Sequence, residues 1–204
     1  MADNIKLAEN VVLIDVISLN ETITNVKNFF EENLKRKLDD INLDFWMAYL
    51  ALDSGIREGD NHIQVLLIYD DKVDKLEHCM APELKELGGM GCKNPFGEFV
   101  FSAISSEGFA SREDLYLDLL QITLNSADVK RLVLAPSNGE YGDRVHDILQ
   151  QSLAESSQEK VKQIIRFFVE QPNQLADYKC DTLLFSLMHA FGVRNEELGF
   201  IYQS

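Results

Sequence analysis

The residues with the most chemical content stand at the ends of two apolar segments. Val11-Val12-Leu13-Ile14 runs into Asp15, and Leu132-Val133-Leu134-Ala135 runs into Pro136-Ser137-Asn138-Gly139-Glu140-Tyr141. Continuous apolar runs of this length fit strands buried on both faces of a parallel sheet. Such sheets bind ligands at the carboxyl ends of their strands. Two acid-bearing ends therefore suggest one shared acidic pocket. A carboxylate set among Val and Ile needs hydrogen-bond donors or a cation. For Asp15 two readings stand side by side. Either it turns or caps the chain through neighbouring amides, or it binds a divalent metal, its oxygen ligands suiting Mg²⁺ or Mn²⁺.

Asp114 and Asp118 are one helical turn apart and share a face. Ser111 and Asp114 have the spacing of a capping box, in which the acid reaches back to the N-cap amide. Asp118 interrupts Leu115-Tyr116-Leu117 and Leu119-Leu120, so it belongs either to a solvated stripe or to a site. Ser137-Asn138-Gly139-Glu140 lies between a strand and a helix, where backbone amides can hold an anion. It lacks the full glycine pattern of a dinucleotide site or phosphate loop and also reads as an ordinary turn. His78, Cys79 and Cys92 are too sparse for a four-ligand zinc site. No Gly-x-Ser-x-Gly elbow is present. His189, on an apolar helix, reads as a core or rim histidine.

The elements that would position these residues follow from apolar periodicity. Strands are expected at Val11–Ile17, Ile63–Tyr69, Glu98–Ile104, Arg131–Ala135 and Val161–Val169, with a short edge strand at Lys75–Cys79. Helices are expected at Ile23–Leu38 after caps at Asn20-Glu21-Thr22, and at Leu43–Asp53, capped by Asn42 and stopped by Gly55. Others are expected around Glu83–Leu87, from Ser111 to Asn125, over Asp143–Leu153 and over Cys180–Phe191. Phe45, Trp46, Tyr49, Leu50 and Leu52 are too many apolar residues for one narrow face, so the second helix is expected to be well buried. Ala154 to Lys160 reads as a mobile polar loop. Strands alternating with helices predict a mainly parallel sheet covered on both faces: a three-layer α/β/α sandwich, PIN-like or Rossmann-like, in a single α/β domain over 1–204.

Composition agrees with a packed domain. Of 204 residues, 46% are hydrophobic and 26% charged, which is not the signature of disorder. No apolar run approaches the ~20 residues of a transmembrane helix, and Met1–Lys6 lacks the basic and apolar stretches of a signal peptide. Three sparse cysteines suit a reducing cytoplasm. A net charge of −15 favours solubility and repels phosphate backbones.

Taken whole, the chain resembles an uncharacterised family of bacterial proteins of about this length, carried by Tyr49-Leu50-Ala51-Leu52-Asp53-Ser54-Gly55-Ile56-Arg57-Glu58-Gly59 and by Glu113-Asp114-Leu115-Tyr116-Leu117-Asp118-Leu119-Leu120. More distantly, the layout is similar to the NYN branch of the PIN-like nucleases. In that branch a first strand ends in Asp, followed shortly by Asn, and Asp15 and Asn20 match, the Asn somewhat displaced. A mid-chain helix carries further aspartates, a role for Asp114 and Asp118. A later strand runs into Ser-Gly-Asp-x-Asp-Phe, whose counterpart here is Pro136-Ser137-Asn138-Gly139-Glu140-Tyr141. In those nucleases clustered acids hold a metal that activates water. Neutral Asn138 removes one charge from that cluster and Glu140 reaches one methylene further, so the resemblance implies a weakened or non-catalytic site.

Three functions follow as expectations. In the first, a metal-dependent ribonuclease or phosphodiesterase holds Mg²⁺ or Mn²⁺ with the catalytic acids Asp15, Asp118 and Glu140, Asp114 assisting and Asn20 and Asn138 orienting water or phosphate. In the second, which the acidic surface and Asn138 favour, a degenerate domain of this fold acts as a binding or interaction module, with a protein partner or as a homodimer. In the third, a nucleotide or small molecule binds in the same crevice. RNA is a partner only if it enters the acidic cleft, no membrane association is expected, and the location is expected to be cytoplasmic.

Overall fold

In the computed structural model, residues 6–108, 110–155, 162–170 and 176–201 are described. The core is a seven-stranded sheet built from β1 (Asn10–Asp15), β3 (His62–Tyr69), β5 (Gly91–Asn94), β6 (Gly97–Ser105), β7 (Arg131–Ala135), β8 (Gln163–Phe168) and β9 (Lys179–Thr182). Their order across the sheet is β5-β6-β3-β1-β7-β8-β9. All neighbours are parallel except β5, which forms an antiparallel hairpin with β6. A separate parallel pair joins β2 (Ile41–Asn42) to β4 (Cys79–Met80).

The helices are α1 (Val16–Leu34), α2 (Leu43–Asp53), α3 (Leu84–Leu87), α4 (Arg112–Asn125), α5 (Gly142–Glu155), α6 (Leu184–Ala190) and α7 (Asn195–Ile201). Successive side chains of a strand point to opposite faces, and β1 shows this directly. Val12 and Ile14 join a core with Ile23 of α1, Trp46 of α2 and Leu187 of α6. Val11 and Leu13 join a second core with Tyr116 and Leu120 of α4 and Val145 and Leu149 of α5. Helices therefore cover both faces, giving an α/β sandwich with a mostly parallel sheet, as the alternation of elements predicts. Among the described residues no helix is long and apolar enough to cross a membrane.

Several boundaries differ from the sequence reading. The first strand stops at Asp15, and Val16 and Ile17 already belong to α1. Asp15 itself is the N-cap, so the expected cap at Asn20-Glu21-Thr22 lies inside the helix. Lys75–Glu77 do not form a strand; β4 is only Cys79–Met80. The β5 strand was not expected, because Gly91–Asn94 has no apolar alternation and is drawn into the sheet by its hairpin with β6. Cys180 to Thr182 form β9 rather than the start of the closing helix. Residues 156–161, with most of the expected loop and Val161, lie outside the described residues; Ala154 and Glu155 finish α5.

The second helix runs over the expected span, with the Asn42 side chain accepting from the amides of Asp44 and Phe45. It is not well buried throughout. Trp46, Met47 and Leu50 face the core, but Phe45 and Leu52 face outward. At its end the Asp53 carboxyl is half-buried, its Oδ2 enclosed without a hydrogen-bond partner among the described residues. Burial, reinforced by the like charge of Asp181 and opposed by Lys179, pushes its pKa from 3.8 up to about 6. Because the folded state holds this proton more tightly than the unfolded chain, the resulting stability is present below pH 3.8 and lost as the pH rises through about 6. Asp53→Asn is therefore expected to stabilise the fold at pH 7 by about 1 kcal/mol, partial exposure screening the full value. Urea unfolding at pH 4 and pH 7, followed by the single tryptophan, checks this: the gain should shrink toward zero in acid.

Candidate functional site

The chain leaves β1 for β3 and β6 on one side, then crosses over to β7, β8 and β9 on the other. The reversal puts a topological switch point between the carboxyl ends of β1 and β7, where open α/β sheets bind ligands. Asp15 is the last residue of β1, and Pro136 to Glu140 directly follow β7.

Asp15 is fully buried. Following Val11 and Leu13 in the alternation of β1, it points toward α4 and α5. Its Oδ1 accepts from the Ser18 amide at 3.0 Å and from Arg112 Nη1 at 2.5 Å. Its Oδ2 accepts from the Tyr141 hydroxyl at 2.5 Å. The other arm of Arg112, Nη2, donates to Glu140 Oε2. Asp15 thus caps α1, as the first reading expects, and the cation beside it is a guanidinium. The Arg112 side chain is only 10% exposed, that of Glu140 60%. Burial pulls the Arg112 pKa down, but the charges of Asp15 and Glu140 outweigh it and leave it raised.

Two tyrosines close the site from α4 and from the turn before α5. Burial raises the Tyr141 phenol far above its ordinary range, with Tyr116 and Asp15 adding to the effect. Burial and the Asp15 charge do the same for Tyr116. Both remain protonated donors, Tyr141 to Asp15 and Tyr116 to the Leu13 carbonyl at 3.2 Å. Their ring centroids are 5.4 Å apart.

Asn138 serves a second arginine. Arg166 lies in the middle of β8 and is 3% exposed. Asn138 Oδ1 accepts from its Nη2 at 2.7 Å and its Nε at 3.2 Å, while Asn138 Nδ2 donates to the Phe167 carbonyl at 3.2 Å. The guanidinium sits 4.6 Å from the Phe168 ring centroid, and its Nη1 donates to the Tyr178 hydroxyl at 3.4 Å. Gly142 makes room for it, since a Cβ there would come within 2.8 Å of Nη2. Among the described residues Arg166 has no carboxylate partner, so an amide oxygen is its principal acceptor.

The remaining positions do not converge here. Asn20 is buried and committed to another loop, donating to the Lys75 carbonyl at 3.0 Å and accepting from the Glu77 amide at 2.9 Å. The Ser111 hydroxyl donates a hydrogen bond to the Asp114 carboxylate at 2.7 Å, and its oxygen accepts one from the Asp114 amide at 2.9 Å. Asp118 is exposed on α4, on the side away from buried Tyr116 and Leu120, with no hydrogen bond or ion pair among the described residues. Among the described residues no group of three His, Cys, Asp or Glu side chains is placed to hold a metal. The acids brought together, Asp15 and Glu140, converge on Arg112, so these residues do not fit Mg²⁺ or Mn²⁺. A cavity beside the crevice, lined by Ser18, Thr22, Pro136 and Asn138, measures about 10 Å³, room for about one water.

The sequence reading missed Arg112, Tyr116 and Arg166 as site residues. Each left a signal. Arg112 puts a cation in the first turn of a helix, where the dipole disfavours it, so a nearby acid is implied. Arg166 interrupts Ile164-Ile165 and Phe167-Phe168, and a charge in a doubly buried strand needs a built acceptor.

Residues 4–198 match a family of unknown function, DUF6621, and the chain belongs to that family. No curated protein and no solved structure matches it.

Proposed function

We propose that this DUF6621 chain is a single PIN-like or Rossmann-like domain whose strand-end acidic site is non-catalytic, and that the protein acts as a binding or interaction module. One observation carries the reading: Arg112 occupies the space between Asp15 and Glu140 where a divalent cation would have to sit. A guanidinium covalently held on α4 supplies the positive charge that the buried carboxylate requires. With Ser18 and Tyr141 also donating, both oxygens of Asp15 are in use. Asn138 adds support, because its oxygen faces Arg166 and is not available to a metal.

The experiment is thermal unfolding of the wild type and Asp15→Asn with and without Mn²⁺, since a ligand that binds only the folded state raises the melting temperature. Neither protein is expected to respond. A Mn²⁺-dependent rise in the wild type that disappears in Asp15→Asn would return the site to the metal-dependent ribonuclease or phosphodiesterase class.

A further inference from the structure

The outward face of α2 is apolar along its length. Phe45, Tyr49 and Leu52 recur at four- and three-residue steps, so they form one stripe. Beside it lies α6, where His189 stacks on Tyr49 with ring centroids 5.3 Å apart. Phe185, one turn earlier on α6, is also exposed, and so is Met80, paired with Asn42 at the start of α2. Phe45, Leu52, Met80 and Phe185 are exposed, from 50% for Phe185 to 66% for Phe45, whereas Tyr49 is half-buried. A helix with apolar residues on all sides is normally enclosed. Here the inner side is filled by Trp46, Met47 and Leu50, and on the outer side Phe45 and Leu52 are bare. Exposed apolar groups gathered on one face mark interaction sites.

The charges around this stripe say what covers it. Asp44 precedes Phe45, Asp53 follows Leu52, and Asp181 lies in the strand leading to Phe185. The cation among them, Lys179, is already held by the Asp53 carbonyl at 2.6 Å and the Asp181 carboxylate at 2.9 Å. Arg57 stands beyond the end of α2, past Gly55. A second copy would bring like-charged rims together, each on a chain of net charge −15. The packed helices α2 and α6 instead present one face to a third helix, apolar on one side and basic at its edges, as amphipathic helices are bound by their apolar face.

We infer that the α2–α6 face docks a lysine- or arginine-bordered amphipathic helix of a protein partner, with Phe45, Leu52 and Phe185 as the anchors. This rests on the reading of the chain as an interaction module, but it is tested away from Asp15. A Mn²⁺ response at Asp15 would overturn that reading without moving any result below.

The test titrates the full chain against a labelled helical peptide of leucine and lysine, about 15 residues long so that it can hold a helix, with a leucine–glutamate peptide as control. The Leu/Lys peptide should bind and the Leu/Glu peptide should not. Phe45→Ser with Leu52→Ser should weaken binding by at least about tenfold, as loss of anchor residues does. Ile122→Ser, an exposed apolar position on α4, should leave it unchanged. Phe185→Ser alone, on the other helix, gives a second reading should the double variant unfold. Failure of the Leu/Lys peptide to bind, or binding equal in all variants, overturns the inference, the latter because charge alone would then explain it. Self-association of the wild type that the Phe45/Leu52 variant abolishes also overturns it, by making a second copy the occupant.

Discussion

Arg112→Ala is expected to lower the unfolding free energy by about 3 kcal/mol or more, because it leaves the fully buried Asp15 carboxylate without its cation. The Ser18 amide and the Tyr141 hydroxyl remain as donors, which places the loss toward the lower end of the range for a broken buried pair. Asp15→Asn should cost less. Asparagine can still accept from Ser18 as an N-cap, and Arg112 keeps Glu140, which reaches solvent. Combining Asp15→Asn with Arg112→Ala should be less damaging than the sum of the single changes, with a coupling of about 1–3 kcal/mol. Urea unfolding followed by Trp46 measures all three. A loss below about 1 kcal/mol for Arg112→Ala would mean that the guanidinium only rests on the acid, as in a surface pair, and the site would be open to an exogenous cation after all.

Asn138→Ala is expected to cost about 2–4 kcal/mol, because two N–H groups of a buried cation and the Phe167 carbonyl lose their partner together. Asn138→Asp is the informative comparison. A carboxylate keeps both contacts to Arg166 and adds a charge of the sign a buried guanidinium lacks, while it loses the donor to Phe167. The two effects oppose each other, and stability should stay within about 1 kcal/mol of the wild type. This substitution also adds a carboxylate to the turn that follows β7. No Mn²⁺ response should accompany it, because Arg166 claims the new carboxylate. Equal destabilisation by Ala and Asp would show that Asn138 matters for its turn conformation and not as the acceptor of Arg166.

Both arginines explain why the site could be read only in part from the sequence. Asp15 was found because an apolar run ends in an acid, and that pattern is local. Its partners are 97 residues away in Arg112 and 126 away in Tyr141, and no spacing rule connects them. The capping residues Asn42 and Ser111 were legible because a cap acts within three residues of itself. Asp118 could not be placed, since its interruption of an apolar run has the same appearance whether it faces solvent or a site. The β5 hairpin and β9 went unseen for a related reason: short edge strands of mixed polarity are fixed by the neighbours they pair with.

By itself the sequence determined the alternation of strands and helices, the mostly parallel sheet and the strand ends that flank its switch point. These follow from hydrophobic periodicity and from caps, which act over a few residues. Only the tertiary structure decided that Asp15 and Glu140 share an arginine, that Asn138 serves Arg166, and that Phe45 and Leu52 of α2 are left bare. Each of these depends on which distant groups the crossovers of the sheet bring within hydrogen-bond range or leave outside the core.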